Sequence, residues 1–109
     1  MLISVTSKIT DTQLQEAAQD LQGYIKIVVD IEQNILTAGG LRHVEGEQLL
    51  LSHGSKQENL WGGGFDTETG EVDFDSMINI RPNQGNQSRE VLSADIRKRI
   101  EKIIHQLLR

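Results

Sequence analysis

The chain has no cysteine, a single proline and few aromatic side chains: one tryptophan, one tyrosine and two phenylalanines in 109 residues. Without cysteine there is no disulfide staple, no thiolate zinc site and no cysteine nucleophile, and a reducing compartment is the natural setting. No apolar run is long enough to span a bilayer, and no charged-then-apolar leader is present. The expectation is a cytoplasmic chain with neither a membrane span nor a signal peptide. Catalytic signatures are missing too. There is no phosphate-cradling glycine loop with lysine, no G-x-S-x-G and no H-E-x-x-H. The run from Asp66 to Gly70 superficially resembles a calcium loop, but its glycine comes one position early. Met77 also stands where a bidentate glutamate is needed, which excludes that reading.

What is present suits a single domain over residues 1–109, large enough for a core without staples. The net charge of −5 is unevenly spread. Residues 1–80 hold 4 basic and 13 acidic groups; residues 81–109 hold 7 basic and 3 acidic. General nucleic-acid binding is disfavoured by the acidic bulk, although the basic C-terminal quarter suits an acidic partner.

The organising stretch is Leu60 to Asn86, with Trp61, Phe65, Phe74 and the only proline, Pro82. Val72, Phe74, Ser76, Ile78 and Ile80 alternate with polar residues, the period of a half-buried strand over 72–80. A loop at Thr67–Gly70 sets Phe65 opposite Val72, Gly63 opposite Phe74 and Trp61 opposite Ser76. Large apolar groups then share one face, leaving Asn79 and Arg81 outward. Gly70 suits a turn position with positive φ, and Gly62-Gly63-Gly64 lets a neighbouring ring or backbone come close.

The remaining elements follow in order. Leu2–Thr6 reads as a first strand. Thr10 and Gln13 form a capping box for a helix carrying Leu14, Ala17, Ala18 and Leu21, stopped at Gly23. Tyr24–Ile31 is the most hydrophobic strand and belongs at the centre of a sheet. Ile31–Ala38 reads either as a hairpin return, pairing Ile31 with Leu36 and Val29 with Ala38, or as a short helix; the hairpin is preferred. Val44–His53 is a leucine-bearing helix that Gly46 weakens. Ala94–Leu108 is a final helix capped by Ser93, with Ile96, Ile100, Ile103, Ile104 and Leu107 in one stripe. The order β-α-β-β-α-β-β-α predicts an α+β two-layer domain, a mainly antiparallel sheet of about five strands with helices on one face.

Three groups of residues are candidates for function. Asp30 and Glu32 project to one side of a strand end, and His43 and Glu47 follow after the return. Hard oxygens with one imidazole suit a divalent metal, which would activate water for hydrolysis. The plain alternative is acidic residues in solvent and a helix-capping histidine. Asn79, Arg81, Asn83, Gln84, Asn86, Gln87, Ser88 and Arg89 suit a phosphate or other anion. They equally suit a loop that hydrogen-bonds its own backbone. Trp61, beside three glycines, reads as a core residue or as an interface anchor joining two copies.

The segments YIKIVVDIE (24–32), EQLLLSHGSKQENLWGGGFD (47–66) and SMINIRPNQGNQS (76–88) carry a family resemblance. The chain resembles, nearly end to end, a small bacterial family described only as a domain of unknown function. That resemblance implies one complete intracellular domain and brings no activity, cofactor or substrate.

Three functional expectations follow. The first is a small non-enzymatic binding module that self-associates as a homo-oligomer through Trp61 or an exposed sheet edge. The alternative is a divalent-metal-dependent hydrolase acting on a phosphoester, with Asp30, Glu32, His43 and Glu47 as ligands or base and Arg81 as anion clamp. A third is an RNA- or protein-directed regulator using the basic last helix.

Overall fold

Tyr24–Asp30 alternates β-branched and long side chains so densely that both its faces and both its edges are covered. In the computed structural model, which describes residues 1–109, this strand (β2) lies at the middle of a sheet. It pairs on one edge with Ile35–Ala38 (β3) and on the other with Leu60–Asp66 (β4). Ile3–Val5 (β1) borders β3, and Val72–Asp73 (β5) borders β4. The order is β1-β3-β2-β4-β5, antiparallel throughout. Three helices complete it: Asp11–Ala18 (α1), His43–Ser52 (α2) and Ala94–Leu108 (α3). The α+β class and the element order are those the sequence implies.

The main core lies under one face. Ile25, Ile27 and Val29 of β2 join Leu36 and Ala38 of β3 and Trp61 and Phe65 of β4. Against them pack Ala17 from α1 and the stripe Ile100, Ile103, Ile104 and Leu107 from α3. Burying each large aliphatic contributes roughly 1.5–3 kcal/mol, so this face dominates stability. Its helices start as their sequences direct. Thr10 Oγ1 accepts from the Gln13 amide at 3.1 Å while Gln13 Oε1 accepts from the Thr10 amide at 3.1 Å, closing the capping box. Ser93 Oγ accepts from the Ile96 amide at 3.2 Å.

The other face is covered by α2. Val28 points there with Leu50 and Leu60, so the helices divide between the two faces instead of sharing the one face expected, because β2 carries apolar side chains on both its sides. Gly46, which weakens the helix by propensity, is what seats it. A Cβ at Gly46 would overlap Thr37 Oγ1 and touch Val28 Cγ2 at 3.0 Å. Close approach of helix to sheet outweighs about 1 kcal/mol of lost propensity.

Four expectations about local structure change. The β2–β3 hairpin forms, but Val29 opposes Leu36 and Ile27 opposes Ala38, two residues from the expected register. Asp30 Oδ1 accepts the amides of Glu32 and Gln33 at 2.9 and 3.0 Å, and Asn34 takes φ 58°, so the tight turn spans Ile31–Asn34. A two-residue slip keeps every side chain on its face, which is why alternation could not detect it. Helix α1 ends at Ala18, before Leu21, as Gln22 and Gly23 turn the chain with positive φ. The strand expected over 72–80 stops after Asp73, although Phe65 does oppose Val72. Finally, Asn79 and Arg81, expected outward, are buried.

The last two corrections share one cause. After Asp73 the chain leaves β4 and bridges Glu90 through Asp75, with the Ser76 amide donating to the Arg89 carbonyl at 3.0 Å. Ser76 Oγ then accepts the Ile78 amide, opening a single 3-10 turn over Met77–Asn79. A second such turn, Pro82–Gln84, is closed by Gly85 at φ 74°. The edge of β4 that strand 72–80 would have covered is met instead by two side chains. Asn79 pairs with both backbone groups of Gly62, and the Arg81 guanidinium donates to the carbonyls of Leu60 and Gln57.

Candidate functional site

The triple glycine of β4 determines where a cleft can exist. Gly62 and Gly64 turn toward the α2 face, because side-chain directions alternate along a strand. With no Cβ there, polar groups sink onto the sheet. A Cβ at Gly62 would meet Ser76 Oγ at 2.7 Å and His43 Cδ2 at 3.1 Å, and one at Gly64 would overlap the Tyr24 phenol. Above this floor, between the first turn of α2, β2 and Asp75–Ile78, lies a cleft of about 360 Å³.

The polar groups at its base are held internally. The Tyr24 hydroxyl donates to Asp73 Oδ2 at 2.6 Å. Burial and that carboxylate push the phenol pKa well above its usual range, so Tyr24 stays protonated. Asp73 Oδ1 accepts the Asp75 amide at 3.2 Å. His43 Nε2 lies 2.6 Å from the Gly63 carbonyl. A carbonyl only accepts, so Nε2 carries the proton and Nδ1 is left with a lone pair. Burial, aided by nearby Lys26, holds the imidazole below its ordinary pKa against the opposing pull of the Gly63 carbonyl, Asp73 and Asp75. The ring is therefore neutral at pH 7.

The rim differs in kind. Lys26 and Arg42 line the cleft, and neither makes an ion pair. Arg89 is committed to Asp75 at 3.0 Å. Three apolar side chains stand in solvent at the mouth: Leu41 at 61 %, Val44 at 42 % and Met77 at 64 % exposure. Loop residues Leu41 and Arg42 are fixed by Glu45, whose Oε1 accepts both their amides at 2.9 Å.

The four proposed metal ligands are not brought together. Asp30 is wholly buried at the far end of β2, its carboxylate accepting from Glu32, Gln33 and Ser55, the last at 2.6 Å. Glu32 is exposed on the turn, and His43 is on the glycine floor. Glu47 is buried with Oε2 unpartnered. Nowhere do three or more histidine, aspartate or glutamate side chains converge to hold a metal ion.

The anion-loop candidates mostly bind their own chain. Asn79 Nδ2 reaches the carbonyls of Gly62, Phe74 and Arg89 at 2.9–3.1 Å. Asn86 Nδ2 donates to Asn79, Ser88 and Glu90 carbonyls, and its Oδ1 accepts the Leu92 amide. Ser88 Oγ accepts the Glu90 amide at 3.0 Å, Gln84 Nε2 donates to the Glu58 carbonyl, and Arg89 holds Asp75. Desolvation lowers the Arg81 pKa, which Glu47 partly offsets. Asn83 and Gln87 are exposed. These residues form an internal truss in place of an open anion site.

Trp61 is 2 % exposed within the main core, with the Arg81 guanidinium stacked 4.1 Å from its ring centroid. It belongs to the core and presents no surface to a second copy. The residues that sequence reasoning missed are Tyr24, Lys26, Leu41, Arg42 and Met77. Only the glycine triplet signalled them, by marking a place where other groups come close.

No helix is long and apolar enough to cross a membrane. No curated protein and no solved structure matches the chain. One family model, described as "Protein of unknown function (DUF5674)", matches residues 3–107, and the chain belongs to that family.

Proposed function

We propose that the chain is a small non-enzymatic binding module whose recognition surface is the cleft at the start of α2. One contrast carries the reading. Lys26 and Arg42 stand without ion pairs beside exposed Leu41, Val44 and Met77, while Tyr24, Asp73 and His43 Nε2 below them are engaged by the chain itself. The one free base, His43 Nδ1, has no side-chain hydroxyl hydrogen-bonded to it, so no activated nucleophile is assembled within the chain. Unpaired cations beside exposed apolar groups are instead what a recognition site offers.

The test sets binding against the hydrolase reading. Incubation with p-nitrophenyl phosphate, with and without manganese, magnesium or zinc, is expected to give no turnover and no shift in the melting midpoint. Metal-dependent turnover abolished by His43→Ala would overturn the proposal. Self-association is a second reading, now attached to β1, whose outer side has no strand neighbour. Light scattering that shows a monomer across micromolar concentrations would remove it.

A further inference from the structure

We infer that the cleft binds a small amphipathic anion, a carboxylate or phosphate monoester carried on a short apolar body. This rests on the binding-module reading and names its ligand. Volume sets the scale. About 360 Å³ falls at the small end of ligand pockets, too little for a folded partner's side-chain cluster but enough for a short ligand.

Charge sets the sign. Asp75 is neutralised by Arg89 at 3.0 Å, whereas Asp73 accepts from the Tyr24 hydroxyl at 2.6 Å and keeps its single negative charge, outweighed by the two cations at the rim. The cations Lys26 and Arg42 have no such partner. The uncompensated charge facing the cleft is therefore positive, and an anion gains charge-assisted hydrogen bonds there without displacing an existing ion pair. Lys26 lies opposite Gly64 in the β2–β4 ladder, so its stem runs beside a floor without side chains.

Apolar surface sets the body. Leu41, Val44 and Met77 are each more than 40 % exposed beside the two cations. A bare inorganic anion would leave them in water, whereas a short alkyl or aryl group covers them. Met77 opens a 3-10 turn, and its flexible thioether side chain can adapt to different bodies. His43 Nδ1 offers one further acceptor to a ligand hydroxyl.

The experiment titrates isotope-labelled protein, followed by amide chemical shifts, with octanoate, octyl phosphate, octyl glucoside and inorganic phosphate below their aggregation limits. We expect octanoate and octyl phosphate to shift amides of Tyr24, Lys26, Leu41–Val44 and Ser76–Ile78, with inorganic phosphate far weaker at the same places. Lys26→Gln and Arg42→Gln should each weaken octyl phosphate by roughly tenfold. Arg42 is exposed, so Arg42→Gln should retain the parent melting midpoint; Lys26 is half-buried on β2, and the dispersed amide spectrum of Lys26→Gln checks that this variant stays folded. If octyl glucoside binds in the cleft as tightly as octyl phosphate, the anion assignment falls and the binding-module reading stands. If no amphiphile shifts the cleft at all, both fall. Co-sedimentation with phosphatidic acid vesicles without any response to monomeric octyl phosphate would also overturn the inference, pointing to a membrane surface.

Discussion

Asn79 faces Gly62 as one strand residue faces another. The Gly62 amide donates to Asn79 Oδ1 at 2.8 Å, and Asn79 Nδ2 donates to the Gly62 carbonyl at 2.9 Å, a two-bond exchange like that between paired backbones. The same amide nitrogen reaches the carbonyls of Phe74 and Arg89, so one wholly buried side chain ties β4 to both segments that replace a longer fifth strand.

Asn79→Ala should therefore be among the most destabilising single changes in the molecule. It leaves both groups of Gly62 and two further carbonyls without this partner, a loss of roughly 2–5 kcal/mol. Asn79→Asp should cost more, because a carboxylate would replace the donor facing three carbonyls. Urea unfolding followed by Trp61 fluorescence measures both. A loss below 1 kcal/mol in both variants would remove Asn79 from this role.

Arg81→Lys tests the neighbouring position. The guanidinium reaches two carbonyls and lies over the Trp61 ring, 4.1 Å from its centroid, and an ammonium cannot reproduce that fork. A loss of roughly 1–3 kcal/mol is expected, with altered emission from the only tryptophan. Unchanged stability and emission would show the stacking to be incidental.

Gly64→Ala should lower stability by roughly 1–3 kcal/mol, because its Cβ overlaps the Tyr24 phenol. Tyr24→Ala also destabilises, through lost packing and the lost bond to Asp73. Made together, the two losses should be clearly less than additive, since the larger part of the clash disappears with the ring and only the Asp73 Oδ2 contact at 2.6 Å remains. Strict additivity in a double-mutant cycle would separate the two residues.

His43 makes stability depend on pH with a definite sign. Its folded pKa is depressed, chiefly by burial, below the unfolded value of about 6.5. Between those two values the unfolded chain binds more protons, so stability falls as pH drops through that window and is fully present above it. The melting midpoint should decline on acidification from pH 7, and His43→Gln should flatten that part of the profile. An identical slope in the variant would place the effect on other groups.

Several of these features were legible in the letters. Local chemistry settles within a few residues, which is why the Thr10–Gln13 box, the Ser93 cap and the α3 stripe stand where the sequence puts them. Hydrophobicity likewise assigned β2 to the centre, and period-two alternation set Phe65 opposite Val72. It could not reveal that the alternation from Val72 to Ile80 would be divided after Asp73, because the competing partners, Arg89 to Val91, lie far along the chain.

The candidate site was less legible than the fold. Asp30 and His43 looked like one site because the chain returns between them, yet Asp30 lies at the end of β2 and His43 over the middle of β4. Asp30 opposes Leu60 in β2–β4, whereas His43 contacts Gly63. Loop polarity told nothing about direction. The amides of Asn79 and Asn86 point inward because backbone groups at the bare edge of β4 and in the final turns have no other partners.

By itself, then, the sequence determined the elements, their order and the capped starts of α1 and α3, since propensity, alternation and capping act over neighbouring residues. Only the tertiary structure decided that α2 seats on Gly46, that two side chains cover the edge of β4, and that Lys26 and Arg42 meet Met77 above a floor of glycine. Those outcomes depend on contacts between distant segments, where the need to satisfy buried backbone groups overrides the local pattern.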